Sequence, residues 1–151
     1  MLHEALTEFD HAIEHVGSTA VAGLPAKPVI DIMVGVPDYD RLQEIGVALE
    51  RLGYLRDAAA EQDEPARKVF RKGPADPRQL RSHHLHLTVR GGRYWCRLLA
   101  FRDQLRRDPV AAAEYAAVKA SLLHTCAGDS RAYTRGKTDV VRRIERAAGV
   151  D

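Results

Sequence analysis

Asp31 stands inside an apolar run from Val29 to Val36. A carboxylate placed there costs free energy unless it is paired, bound to a metal or turned toward a cleft. Upstream, Gly17, Ser18 and Thr19 form a small-residue turn after a strand-like stretch. Backbone amides and a hydroxyl at such a turn can hold a phosphate, and a glycine lets a ligand approach the backbone. Downstream, SHHLHLTV at 82–89 is the second unusual segment. If it is a strand, His84 and His86 share one face, because side chains alternate. Two same-face histidines with a carboxylate make a candidate transition-metal ligand set. They also suit acid–base work near neutral pH. Asp31, His84 and His86 are therefore the candidate catalytic and metal-ligating residues, with His15 as an additional ligand.

Basic and aromatic residues form a second group of candidates. Lys27 precedes Pro28 at the mouth of the strand carrying Asp31. Arg71 and Lys72 must point to opposite faces of their strand, and Arg71 is preferred for the cleft. Tyr115 and Lys119 lie four apart, as do Tyr133 and Lys137, a spacing that places each pair on one helix face. Tyrosine packing on a lysine stem is the commoner explanation for either pair. Lys137, Tyr133 and Arg102 are kept as ligand-binding candidates, with Arg102 reaching either inward to Asp31 or to a surface partner such as Asp103.

The elements that must position these residues follow from periodicity and punctuation. Leu2, Ala5, Leu6 and Phe9 make a short helical stripe over 2–10, and 12–16 reads as a strand. Residues 19–27 read as a loop, and 29–36 as a buried strand ended by Pro37. Asp38 is the expected cap of a helix striped by Leu42, Ile45, Leu49 and Leu52 and closed by Gly53. Strands are expected at 54–56, 67–72 and 83–90, separated by polar loops, one of them marked by Pro74, Asp76 and Pro77. Helices are expected over 94–107, from Asp108-Pro109 toward Gly128, and from Asp129 to near Gly149. In the Asp31 strand, Ile30, Ile32 and Val34 are expected to face the core, with Asp31, Met33 and Gly35 on the other side. The order predicts one α+β domain over 1–151, with a sheet-bearing part at 1–93 and C-terminal helices at 94–151 packed on it.

The string HVGSTAV-x-GL-x-AKPVIDI, beginning at His15, resembles the signature of the GrpB family. PDY after the strand, VFRKG at 69–73, RSHHLHL at 81–87, LAFRDQLR at 99–106, DP…AAEYAAVKASL at 108–122 and Tyr133-x3-Lys137 fit the same family. The resemblance runs from about residue 13 to about 145, and it implies a longer lead-in before the first strand than this chain shows. It implies a nucleotidyltransferase-like mixed β-sheet flanked by helices. It further implies that Gly17 and Ser18 hold phosphate and that Asp31 is the first of two metal carboxylates two residues apart. Met33 occupies the second position, and a thioether is a poor ligand for a hard cation such as magnesium. Family members joined to a dephospho-coenzyme A kinase link the domain to nucleotide or coenzyme chemistry by association.

The totals narrow the function classes. A net charge of +2 argues against a nucleic-acid-binding protein, although residues 94–151 carry 11 basic and 7 acidic groups. Two cysteines, Cys96 and Cys126, without CxxC spacing exclude a zinc knuckle, read as small core hydrophobes and point to a reducing, cytoplasmic setting. No apolar run approaches the length of a membrane span. The reading is a phosphorylated small molecule or nucleotide bound near Gly17, Ser18, Thr19 and Lys27, with nucleotidyl transfer and a divalent metal (magnesium, manganese or zinc) as the chemistry the resemblance implies. A non-catalytic binding module, or an enzyme of different chemistry built on an Asp/His site, are the alternatives.

Overall fold

The computed structural model describes residues 1–74, 81–126 and 128–150, with the backbone alone of Ser130. Asp76 and Pro77, expected to mark a loop, lie outside these. Five strands form one mixed sheet: β1 (Ala12–Val16), β2 (Ile30–Val36), β3 (Leu55–Arg56), β4 (Arg67–Lys72) and β5 (His83–Val89), in the order β1-β2-β5-β4-β3. β2 and β5 run parallel, and the other neighbours are antiparallel.

Helices cover both faces of this sheet. Helices α1 (Leu2–Ala5) and α2 (Leu42–Arg51) pack on the face of Val34, Val36, Phe70, Leu85 and Leu87. Each such side chain removed from water contributes roughly 1.5–3 kcal/mol. The other face meets α3 (Arg93–Arg107), whose Tyr94 and Trp95 bury Met33 and Val16. A Cβ on Gly35 would stand 2.5 Å from Trp95 Cζ3, so the bare backbone of Gly35 is what lets the indole lie on the strand. Core therefore exists on both sides of β2. Alternation separates the two faces, but Ile30, expected in the core, is 41% exposed at the strand start, and the Asp31 side is closed at Met33 and Gly35 and open only at Asp31.

Helices α4 (Pro109–Thr125), α5 (Ser130–Gly136) and α6 (Thr138–Ala147) complete the C-terminal part. Asp108 caps α4, accepting from the Val110 and Ala111 amides ahead of Pro109, as its sequence position predicts. Asp129 caps α5 in the same way. The expected last helix is two helices, with Lys137 at the junction after Gly136. Gly136 packs onto Leu122 of α4 so closely that a Cβ would collide with it. The chain turns at this contact, and glycine's low helix propensity favours the break there. Asp38 does not cap α2. Its carboxylate accepts from the Asp40 amide in a local turn, and Arg41 precedes the helix without a side-chain cap. Cys96 is exposed rather than core.

Candidate functional site

Strand register brings the chemistry together. Val16, Asp31, His84 and Arg71 are directly opposite one another across β1, β2, β5 and β4. Residues so paired share a face of the sheet. The next row on that face is Glu14, Met33, His86 and Val69, and the next is Ala12, Gly35, Thr88 and Arg67. His84 is therefore the lateral neighbour of Asp31 and His86 its diagonal one. Asp31 Oδ1 lies 3.4 Å from His84 Nδ1 and 3.8 Å from His86 Nε2. Its other oxygen faces Gly17: a Cβ there would stand 2.5 Å from Asp31 Oδ2. Gly17 has φ 72°, a conformation glycine adopts without strain. Its role in the site is thus to pack against the carboxylate.

The electrostatics follow from this packing. Burial pushes the Asp31 carboxyl up, but hydrogen bonding to His84 and then His86, together with their charges, prevails and holds it down at about 2. Burial pushes the His86 imidazole down; Asp31 opposes this and Arg67 reinforces it. His86 Nδ1 is 3.3 Å from the Tyr94 hydroxyl and 3.4 Å from Arg67 Nη1, and Arg67 donates to Tyr94 at 2.9 Å.

A cavity of about 460 Å³ opens over Asp31, within the size range of small-ligand sites. Strand residues form its floor. The loop from Ser18 to Val29 forms one wall, and α4, α5 and the Lys137 junction form another. Five cationic side chains line it, Lys27, Arg67, Arg71, Lys119 and Lys137, against the carboxylates of Asp31 and Asp129. Asp129 is occupied as the α5 cap. Burial lowers the Lys137 ammonium; Asp31 opposes this and Lys27 adds to it. Burial also lowers Lys119, with Lys137 contributing. Lys27 and Lys137 both lie near the Tyr133 ring, 5.8 Å and 4.5 Å from its centroid. Leu122, Leu123 and Cys126 add an apolar margin.

Asp31, His84, His86, Lys27, Arg71, Tyr133 and Lys137 all line this cavity. Ser18 and Thr19 line it too, but their hydroxyls are engaged. Ser18 Oγ accepts from Lys119 at 2.8 Å, and a hydrogen bond with Ser18 opposes the upward push of burial on the Tyr115 hydroxyl. Thr19 Oγ1 is 2.9 Å from His15 Nε2. His15 pairs with Ile32 and so lies on the opposite face from Asp31, which removes it from any shared ligand set. Arg102 is also elsewhere. It is buried, donating to Glu14 Oε2 at 2.7 Å, Asp103 Oδ1 at 2.8 Å and the His15 carbonyl at 3.0 Å, and it ties α3 to β1. Arg67 and Tyr94 are the site residues that the sequence left unassigned, and Lys119, paired there with Tyr115, also lines the cavity. Lys119 signals itself by its place four residues after Tyr115 on one helix face, and Arg67 only by sharing strand parity with Arg71.

The donor set does not fit the metal centre implied by the resemblance. Met33, at the second carboxylate position, is wholly buried beneath Tyr94 and Trp95. The acidic neighbour in its row, Glu14, is held by Arg102. Among the described residues no group of three or more His, Cys, Asp or Glu stands in an arrangement ready to hold a metal ion. Nor, among the described residues, is any helix long and apolar enough to cross a membrane.

The family model described as GrpB protein matches residues 1–147. The chain belongs to the GrpB family. A GrpB protein from Enterococcus faecalis, known from its crystal structure, superimposes with a TM-score of 0.82 at 32% identity, over 97% of this chain and 85% of that one. That agreement supports the α+β fold, a mixed sheet flanked by helices, and is consistent with the nucleotidyltransferase-like class. A UPF0157 protein of Pseudomonas aeruginosa is 43% identical over 87% of this chain, and the chain spans about half of it, 53%. The glutamate-rich protein GrpB of Alkalihalophilus pseudofirmus is 32% identical over 87% of this chain and 75% of its own length. A dephospho-CoA kinase of Mycolicibacterium paratuberculosis is 33% identical over 90% of this GrpB-family chain but only 38% of its own length.

Proposed function

We propose that this protein binds a phosphorylated small molecule or nucleotide in the cavity over Asp31, with the phosphate among the lysines. The convergence of Lys27, Lys119 and Lys137 with Arg67 and Arg71 carries the reading. Among the described residues, Lys27 and Lys137 have no hydrogen-bonding or ion-pair partner, only the Tyr133 ring. Burial makes the Lys137 ammonium costly and the neighbouring Lys27 charge adds to that cost, and a phosphate offsets both. Leu122, Leu123 and Tyr133 provide an apolar side for the rest of the ligand. The kinase name of the mycobacterial relative supports a nucleotide-type ligand by association only, since the matched part is about a third of that protein.

Transfer chemistry, where it occurs, falls to Asp31 and the histidines. An ionised Asp31 beside two imidazoles suits proton transfer to or from a ligand hydroxyl. Two residues after Asp31, where a second metal carboxylate would stand, the chain carries Met33.

Calorimetric titration with ATP, ADP, AMP and inorganic phosphate tests the binding. Lys27→Met and Lys137→Met are each expected to weaken phosphate-containing ligands by about tenfold, or about 1.4 kcal/mol. The melting temperature is expected to stay level or rise in Lys137→Met, because a partly buried charge has been removed, and to stay level in Lys27→Met, where the side chain is exposed. Equal binding of an uncharged nucleoside, or affinities unmoved by both substitutions, would overturn the reading. An affinity that depends on magnesium, manganese or zinc would mean that Asp31 shares a cation with the ligand's own phosphates.

A further inference from the structure

We infer that His84 is the proton-transfer group of the cleft, with Asp31 fixing its tautomer and Arg67, Tyr94 and His86 acting as positioning residues behind Asp31. The inference rests on the proposed ligand only for the identity of the hydroxyl involved; the arrangement of protons follows from the side chains themselves.

Arginine has hydrogen-bond donors only. Arg67 Nη1 donates to the Tyr94 hydroxyl oxygen at 2.9 Å, which leaves the Tyr94 hydrogen free to point at His86 Nδ1, 3.3 Å away. Arg67 Nη1 itself is 3.4 Å from the same nitrogen. Flanked by two donors, His86 Nδ1 must be the acceptor, so a neutral His86 carries its proton on Nε2. That N–H faces Asp31 Oδ1 at 3.8 Å. His86 thereby presents its N–H on the Asp31 side, at ion-pair rather than hydrogen-bond distance, and has no lone pair free to accept a proton from a ligand.

Asp31 is confined from the other side as well, since Gly17 packs on Oδ2. Oδ1 is then the oxygen presented to His84 Nδ1 at 3.4 Å. A carboxylate offers no proton, so His84 Nδ1 must carry one. A neutral His84 consequently has its lone pair on Nε2, the end of the ring away from the carboxylate. Both side chains line the cavity, that of His84 32% exposed and that of His86 only 14%. The same two histidines, one strand period apart, therefore have different roles. In the step assigned to His84, a bound hydroxyl gives its proton to Nε2, leaving an oxyanion and an imidazolium whose charge Asp31 stabilises. The 3.4 Å contact is longer than a tight charge-assisted bond, and contacts of this kind shorten when ligand is bound.

Long-range proton–nitrogen NMR of ¹⁵N-histidine protein at neutral pH reads the tautomers directly. The expected result is His84 protonated on Nδ1 and His86 on Nε2. Asp31→Asn is expected to move His84 toward the Nε2–H form that free histidine prefers, and Tyr94→Phe to leave His86 a mixture. Mass-spectrometric mapping of diethyl pyrocarbonate labelling adds a reactivity readout. His84 should react at least tenfold faster than His86, slow by a similar factor in Asp31→Asn, and be protected by inorganic phosphate. A wild-type His84 protonated on Nε2, or tautomer and reactivity unmoved by Asp31→Asn, would overturn the inference. Correct tautomers and fast labelling without phosphate protection would support it and remove only the anion reading of the cleft. Tautomers that change only in variants whose urea midpoints collapse would mark the chain as structural and overturn the assignment.

Discussion

Asp31 and His86 give the site two separate responses to acid. The His86 imidazole is depressed from its ordinary value of 6.5 by burial. The unfolded chain therefore takes up that proton first, and stability begins to fall as pH drops below about 6.5. Asp31 is depressed from 3.8 to about 2, so its contribution is intact above 3.8 and is lost as pH falls through about 2. That shift corresponds to stabilisation on the order of 2 kcal/mol at neutral pH. Urea midpoints measured from pH 7 to 2 are expected to fall in two stages. His86→Gln should flatten the upper stage, and Asp31→Asn the lower; a single unresolved decline would contradict the assignment. Gly17→Ala tests the contact on the other carboxylate oxygen. A side chain at φ 72° set against Asp31 Oδ2 is expected to cost about 1–3 kcal/mol and to displace Asp31 from His84. Of this residue-scale picture, the sequence made Asp31, His84 and His86 legible because polar residues at period two stand out in apolar strands. It left His15 and Arg102 misplaced because strand parity within one segment does not reveal which face a neighbouring strand or helix shares.

At the level of elements, the site exists because α3 covers only part of β2. Trp95 seals the strand at Met33 and Gly35, and Asp31 lies just beyond that seal. Gly35→Ala would push a methyl group into the indole ring. The expected cost is roughly 1–3 kcal/mol, the usual range for overpacking a core. Trp95 is the chain's single tryptophan, so its fluorescence reports the displacement directly. A spectrum and denaturation midpoint identical to wild type would show that α3 does not rest on Gly35. The capping aspartates Asp108 and Asp129 were readable in advance because capping is local chemistry. The break between α5 and α6 was not, since it depends on contact between Gly136 and Leu122 of another helix.

Across the whole molecule, charge is nearly balanced at +2, yet it is concentrated in one place. Lys27 comes from a loop, Arg67 and Arg71 from β4, Lys119 from α4 and Lys137 from the α5–α6 junction, and all meet over Asp31. A local concentration of this kind is screened by salt over about 8–10 Å at physiological ionic strength. Phosphate affinity is therefore expected to fall several-fold between 50 mM and 500 mM salt, at a net charge too small to cause such a change by itself. Titration at several salt concentrations checks this, and salt-independent binding would point to an apolar ligand mode instead.

The amino-acid sequence by itself determined the strands and most helix boundaries, the separation of Asp31 from the Ile32 and Val34 face, and membership of the GrpB family. These rest on short-range periodicity, capping and an uninterrupted motif, all of which are local. Only the tertiary structure decided that Met33 is core, that His86 is enclosed by Arg67 and Tyr94 while His84 faces the cavity, and that five cations from four parts of the chain converge. Those outcomes depend on β2 and β5 pairing in parallel across a long stretch of sequence and on where α3 stops covering the sheet. Such long-range choices are set by packing of the whole chain, and no single segment encodes them.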